Sequence, residues 1–161
     1  MFQIHNLDID HEQVFQLCME YSKKSDLDSA HTAHLKNLKT SSQKIDYAES
    51  PDRWPILKPL VDLIKEKTQR TEVQYSWFNI MYKGSFVAPH AHNYIHDVKF
   101  AITYYPRLEQ GHNPIELRIN DNWVPVDIKQ GQCLIFPGDM LHRVPIQQSS
   151  NPRCCIAFNM Y

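Results

Sequence analysis

Two histidines one residue apart, His90 and His92 in KGSFVAPHAHN, are the first residues with the types and spacing for chemistry. Side chains alternate across a β-strand, so residues i and i+2 share a face and can aim two imidazoles at one point. A third ligand from a distant strand then completes one face of an octahedron, and His142 in FPGDMLHRVP sits at another strand end. Imidazole nitrogen suits iron, copper, nickel and zinc alike, so the residues alone point to a metal without choosing it.

These histidines need strands to carry them, and the second half of the chain supplies candidates. From Thr71 the stretch TEVQYSWFNIMY alternates and is rich in aromatic and β-branched residues, which suit a pleated, half-buried surface. Further strands are expected over Lys99–Tyr105, Ile115–Ile119, Trp123–Ile128, Gln132–Phe136 and Arg153–Met160, with Asn120, Gly131 and Pro137 at turns. Short strands at this spacing form a barrel or sandwich.

The first half reads as helical. Asp10 is placed to cap a helix whose apolar positions Val14, Phe15, Leu17, Cys18 and Tyr21 recur at helical spacing. After Pro55 a second helix gathers Leu57, Leu60, Val61 and Ile64 on one face. Residues 25–52 between them read as loop. The expected architecture is mainly β with flanking helices, a single domain over 1–161 in which a helical part, 1–70, braces a β-barrel core, 71–161.

Composition narrows the classes further. Lysine plus arginine (17) nearly balances aspartate plus glutamate (18) and the basic residues are scattered, so no footprint for nucleic acid is visible. No segment approaches the roughly 20 apolar residues of a membrane-spanning helix, and MFQIHNLDID lacks the features of a secretion signal, so a cytoplasmic location is expected. Cys18, Cys133, Cys154 and Cys155 follow neither a disulfide framework nor a zinc-ribbon spacing and are expected as buried free thiols. With only 4 glycines there is no P-loop or dinucleotide fingerprint, and no nucleophile elbow.

Four segments in order, WFNIMYKGSFVAPHAHN, AITYYP, GQCLIFPGDMLHRVP and RCCIAFNMY, resemble the double-stranded β-helix of the 2-oxoglutarate and Fe(II)-dependent oxygenases, a branch of the cupin-like jelly rolls. The resemblance covers roughly Trp77 to Tyr161. It implies an iron site of His90, His92 and His142, although most members carry a carboxylate where this chain has His92. Asp97, five residues beyond His92, is a fourth candidate ligand, to be weighed against a solvated loop residue.

The resemblance also implies a co-substrate anchor. Arg153 lies eleven positions after His142 and opens the last strand, where the family places the arginine that holds 2-oxoglutarate. A guanidinium offers a rigid fork to a carboxylate, which lysine does not. Asn79, Tyr82, Tyr104 and Asn159 are polar residues on neighbouring strands that could complete this pocket, each with core packing as its competing role. His31 and His34, and the tryptophans Trp54, Trp77 and Trp123, read as surface and packing residues respectively.

The implied activity is a dioxygenase using Fe(II), 2-oxoglutarate and O2 to hydroxylate a protein residue or small molecule that the sequence does not identify, releasing succinate and CO2. The loop 106–114 and the helical half are expected to shape the entrance. Two other readings stand beside it: a three-histidine cupin dioxygenase that needs no 2-oxoglutarate, and a non-catalytic metal-containing jelly roll that binds a sugar or protein. Structural zinc fills a closed tetrahedral site, whereas three histidines leave a position open.

Overall fold

The computed structural model describes residues 1–24, 27–28, 34–42, 44–93 and 97–161. His31 and His96 lie outside these.

Among the described residues nine strands form one strongly curved antiparallel sheet, β1 (Gln3–Asn6), β2 (Leu35–Thr40), β3 (Val73–His90), β4 (Phe100–Arg107), β5 (Glu116–Ile119), β6 (Asn122–Pro125), β7 (Gln132–Pro137), β8 (His142–Val144) and β9 (Arg153–Met160). The order is β1-β7-β4-β9-β3-β8-β5-β6, with β2 on β3. This is the expected jelly-roll arrangement.

The 18-residue β3 joins the two halves of the fold. Its first part pairs with β9 from Val73↔Met160 to Met81↔Arg153, and its last part pairs with β8 through Val87↔Val144 and His90↔His142. Gly84, at φ +89, stands between the two parts in a conformation that L side chains rarely adopt. The strand thus carries a buried sheet at one end and delivers His90 at the other.

Alternation along the strands separates two cores. One face gathers Phe78, Ile80, Ile102, Tyr104, Cys133, Ile135, Cys154, Ile156 and Phe158 beneath the helices. The opposite face turns Met81, Ala101, Tyr105, Leu134, Phe136 and Cys155 into the barrel.

Helix α1 (His11–Lys24) begins where expected, with Asp10 Oδ1 accepting the backbone N–H of Gln13 at 3.0 Å. It buries Val14, Phe15 and Cys18. Helix α2 (Lys58–Thr68) buries Leu60, Val61 and Ile64, and ends at Gln69 in the left-handed conformation.

The first seventy residues are not purely helical bracing, because β1 pairs with β7 and β2 pairs with β3. β2 falls in the stretch expected to be loop. Its sequence, LKNLKT, buries Leu35 and Leu38 but breaks the two-residue period at a bulge where Asn37 has φ +56, so it carries no clean strand pattern. Towards the C terminus β6 stops at Pro125, short of the expected Ile128. All four cysteines are buried and free.

Candidate metal and co-substrate site

His90 closes β3 and His142 opens β8, and the two are paired directly across the sheet. His92 follows in the turn beyond β3, where its backbone N–H donates to Gly138 O at 2.8 Å. The three ring systems converge, with one ligand atom from each lying within 4.8 Å of the others.

The protonation of these rings is set by their surroundings. His90 Nδ1 lies 2.9 Å from Ala88 O and His142 Nδ1 lies 3.0 Å from Met140 O. A carbonyl only accepts, so each Nδ1 carries the proton and each Nε2 keeps a free lone pair. Burial holds all three rings neutral: it lowers His90 to about 3, helped by neighbouring His34, and His92 to about 4, with Asn159 beside the ring working the other way. His142 is pushed well below its ordinary value by burial and by the other two histidines.

The donor set fits a divalent transition metal. His92 Nε2 and His142 Nε2 are 3.1 Å apart. Two nitrogen donors at right angles, each roughly 2.1 Å from a metal, stand about 3.0 Å from one another. Three neutral imidazoles on one side leave the remaining positions free for other ligands.

Asp97 does not join the group. Its side chain is 81% exposed and its carboxylate pairs with Lys99 at 2.6 Å.

Arg153 is the other charged group of the site. It is 1% exposed, it faces into the barrel, and its Nε has no hydrogen-bond partner. Its Nη1 reaches the Met81 sulfur at 3.2 Å, and its guanidinium carbon sits 5.3 Å from the centre of the Tyr105 ring. No carboxylate among the described residues pairs with it. A buried guanidinium without a counter-charge is costly, so this one is suited to an incoming carboxylate.

One pocket, partly open to solvent, contains His90, His92, His142 and Arg153 together. Asn79 lines it with its Oδ1 buried and unpartnered, and Asn159 stands beside His92, its own Oδ1 likewise buried without a partner.

Tyr82 and Tyr104 do not reach this pocket. Tyr82 is three residues from Asn79 on one strand, so the alternation turns it to the other face, where its hydroxyl lies 4.0 Å from Met19 sulfur. Tyr104 also points to the helices, and its hydroxyl meets His11 Nδ1 at 2.7 Å. The inward tyrosine is its neighbour Tyr105, whose hydroxyl accepts from Thr103 Oγ1 at 2.9 Å and whose titration burial pushes up to about 12.

Two further residues, which the sequence presents as surface and packing positions, belong to the site. His34 stacks on His90 with ring centres 4.2 Å apart, and its carbonyl accepts the Ala88 N–H at 2.7 Å. Trp77 stacks on His92 at 5.8 Å. The sequence does hold a signal for Trp77, since it shares strand parity with Asn79. Residues 106–114 do not line the pocket, whereas His34 and Leu35 do.

Comparison with known proteins bears on this geometry. Residues 103–159, which include His142 and Arg153, match the family model for putative 2OG-Fe(II) oxygenases. No curated protein matches the chain by sequence. Among solved structures, a Pseudomonas putida prolyl-4-hydroxylase superposes with a TM-score of 0.74 at 14% identity, covering 99% of this chain and 91% of its own. A Trichoplax adhaerens prolyl hydroxylase in complex with a hypoxia inducible factor peptide gives 0.75 at 13%, covering 99% and 83%. HygX from Streptomyces hygroscopicus, with nickel, 2-oxoglutarate and hygromycin B bound, gives 0.69 at 10%, covering 99% and 82%. The chain has the fold of the 2OG-Fe(II) oxygenases, and its segment 103–159 matches that family.

Proposed function

We propose that this protein is a 2-oxoglutarate- and Fe(II)-dependent oxygenase that hydroxylates a substrate, with His90, His92 and His142 as the iron ligands and Arg153 as the anchor of 2-oxoglutarate. The observation that carries the reading is Arg153, a fully buried guanidinium with no carboxylate partner among the described residues, in the same pocket as three converging neutral imidazoles.

The roles follow from position. The carbonyls of Ala88 and Met140 fix the His90 and His142 rings in the tautomer that presents Nε2. Arg153 takes the distal carboxylate of 2-oxoglutarate, exchanging a contact with sulfur for a charged pair. Tyr105 and Thr103 flank that pocket and remain protonated at neutral pH, so both act as neutral hydrogen-bonding groups. Leu35, Val87, Ile115, Phe136 and Val144 wall the pocket with apolar surface and limit water. Iron and 2-oxoglutarate together supply the oxidation, in which O2 is reduced, succinate and CO2 are released and one oxygen atom enters a substrate C–H bond.

Two of the solved structures named above are prolyl hydroxylases and the third holds hygromycin B, so the fold serves more than one kind of substrate. His92 itself favours a second reading, a cupin-like dioxygenase that uses three histidines without 2-oxoglutarate. Such an enzyme has no need of an arginine aimed at a dicarboxylate on the last strand, which is where Arg153 stands, and for that reason the first reading is preferred. Anaerobic titration of the Fe(II) protein with 2-oxoglutarate, followed by succinate release on admitting O2, tests it. Saturable binding and succinate formation are expected, and no binding at millimolar 2-oxoglutarate would overturn the assignment.

A further inference from the structure

The pocket contains no acidic side chain among the described residues. Its charged or charge-bearing residues are four histidines, His34, His90, His92 and His142, and the guanidinium of Arg153. The acids nearest in sequence are directed elsewhere: Asp97 is exposed and paired with Lys99, Asp139 is exposed, and Glu116 pairs with Arg143 at 2.5 Å.

This sets a charge balance that the proposed co-substrate does not close. A divalent metal on three neutral imidazoles contributes two positive charges, and Arg153 contributes a third. 2-Oxoglutarate brings two negative charges. With a carboxylate at position 92 the sum would be zero; with His92 one positive charge is left in a largely apolar pocket that is only partly open to solvent. An uncompensated charge in such surroundings draws a counter-ion or lowers the affinity of the whole assembly.

Resting on the oxygenase reading above, we infer that the His92-containing site binds a monoanion alongside 2-oxoglutarate, and that the substrate presents an anionic group, of the carboxylate class, to the pocket. His92 is then a specificity-determining residue as well as a ligand. Its ring is backed by Trp77 and neighboured by Asn159, so no described protein group stands ready to replace the missing negative charge. The carboxamides of Asn79 and Asn159 offer only partial charges.

The test uses azide as the probe and Zn(II)-loaded protein, so that no turnover is involved. Binding of 2-oxoglutarate is measured by calorimetry, and azide is then titrated into the protein saturated with Zn(II) and 2-oxoglutarate. Azide is expected to bind without releasing 2-oxoglutarate, and His92→Asp, titrated at Zn(II) and 2-oxoglutarate concentrations that saturate the variant, is expected to weaken azide at least tenfold. Formate should behave as azide does, and a neutral probe, acetamide, should not bind. If 2-oxoglutarate binds but azide does not, or azide only displaces it, the monoanion site is overturned and the oxygenase reading stands. Equal azide affinity in His92→Asp removes His92 from the explanation and overturns the inference. Failure of 2-oxoglutarate to bind at all overturns the oxygenase reading, and this inference with it. Should His92→Asp not fold, His92→Glu takes its place beside the wild-type titrations, and the same outcomes support or overturn the monoanion site.

Discussion

His90 and His142 are register partners across β3 and β8, with ring centres 4.1 Å apart, and each bonds through Nδ1 to the carbonyl two residues before it. Two strands distant in sequence use the same local device to hold a ring in one tautomer. The pair is therefore fixed by the backbone of the sheet, and His92, carried on the following turn, completes the set.

Replacing His142 by alanine removes one of two donors held rigidly by the sheet. Metal affinity is expected to fall by at least a hundredfold, and the variant should copurify with little or no iron when metal content is measured after anaerobic reconstitution. Far-ultraviolet circular dichroism should be unchanged, because the ring occupies the pocket and carries no sheet hydrogen bond. Iron retained at one equivalent would contradict the ligand role.

Arg153→Met separates the co-substrate from the metal. Methionine keeps most of the apolar stem and removes the charge, so 2-oxoglutarate affinity should drop by about 2–3 kcal/mol, some thirty- to two-hundredfold, while iron binding stays within a few-fold. The same change should stabilise the protein free of 2-oxoglutarate by about 1–4 kcal/mol, since it deletes a buried charge with no carboxylate partner among the described residues. Calorimetric titration reads the first effect and thermal denaturation the second. A less stable Arg153→Met protein would show that the guanidinium is already compensated.

The features legible in the sequence are those with short-range signals. The Asp10 cap, the helix after Pro55, β9 from Arg153 to Met160 and the His90–His92 spacing all declare themselves within a few residues. Less legible are β2, whose bulge at Asn37 hides its period, and the inward tyrosine of the pair Tyr104–Tyr105. Choosing Tyr105 requires knowing which parity of β4 faces the barrel, and that depends on long-range pairing such as Thr103↔Ala157. Tyr82 is excludable from sequence, because it and Asn79 are an odd number of residues apart. His34 gives no local signal, since its place over His90 depends on the contact of Ala88 N–H with its carbonyl.

Gly138 holds the turn that carries His92, accepting its N–H while donating its own to Lys99 O at 2.9 Å. A Cβ at this position would lie 2.2 Å from the carbonyl oxygen of Val98, a backbone atom that cannot swing aside. Gly138→Ala should therefore cost about 1–3 kcal/mol of stability and displace His92, weakening metal binding more than a distant substitution of equal stability effect. Thermal denaturation together with metal titration checks it, and wild-type metal affinity in the variant would show that the His92 turn is independent of Gly138.

Acid should destabilise the metal-free protein, and the direction follows from the histidines. His90 and His92 are lowered to about 3 and about 4, and His142 lies well below 6.5. Above pH 6.5 these rings are neutral in both folded and unfolded chains, so their burial carries no protonation penalty. As pH falls below 6.5 the unfolded chain takes up protons that the folded chain refuses, and stability declines until the folded values are reached. At pH 5 His90 and His92 each cost about 2 kcal/mol, and His142 acts in the same direction. Bound metal occupies the Nε2 lone pairs and adds its own binding free energy, so the loaded protein should resist the same acidification until the metal is released. Urea denaturation at pH 7.5 and pH 5, with and without Zn(II), measures both. Equal stability of the metal-free protein at the two pH values would contradict neutral, buried rings at positions 90, 92 and 142.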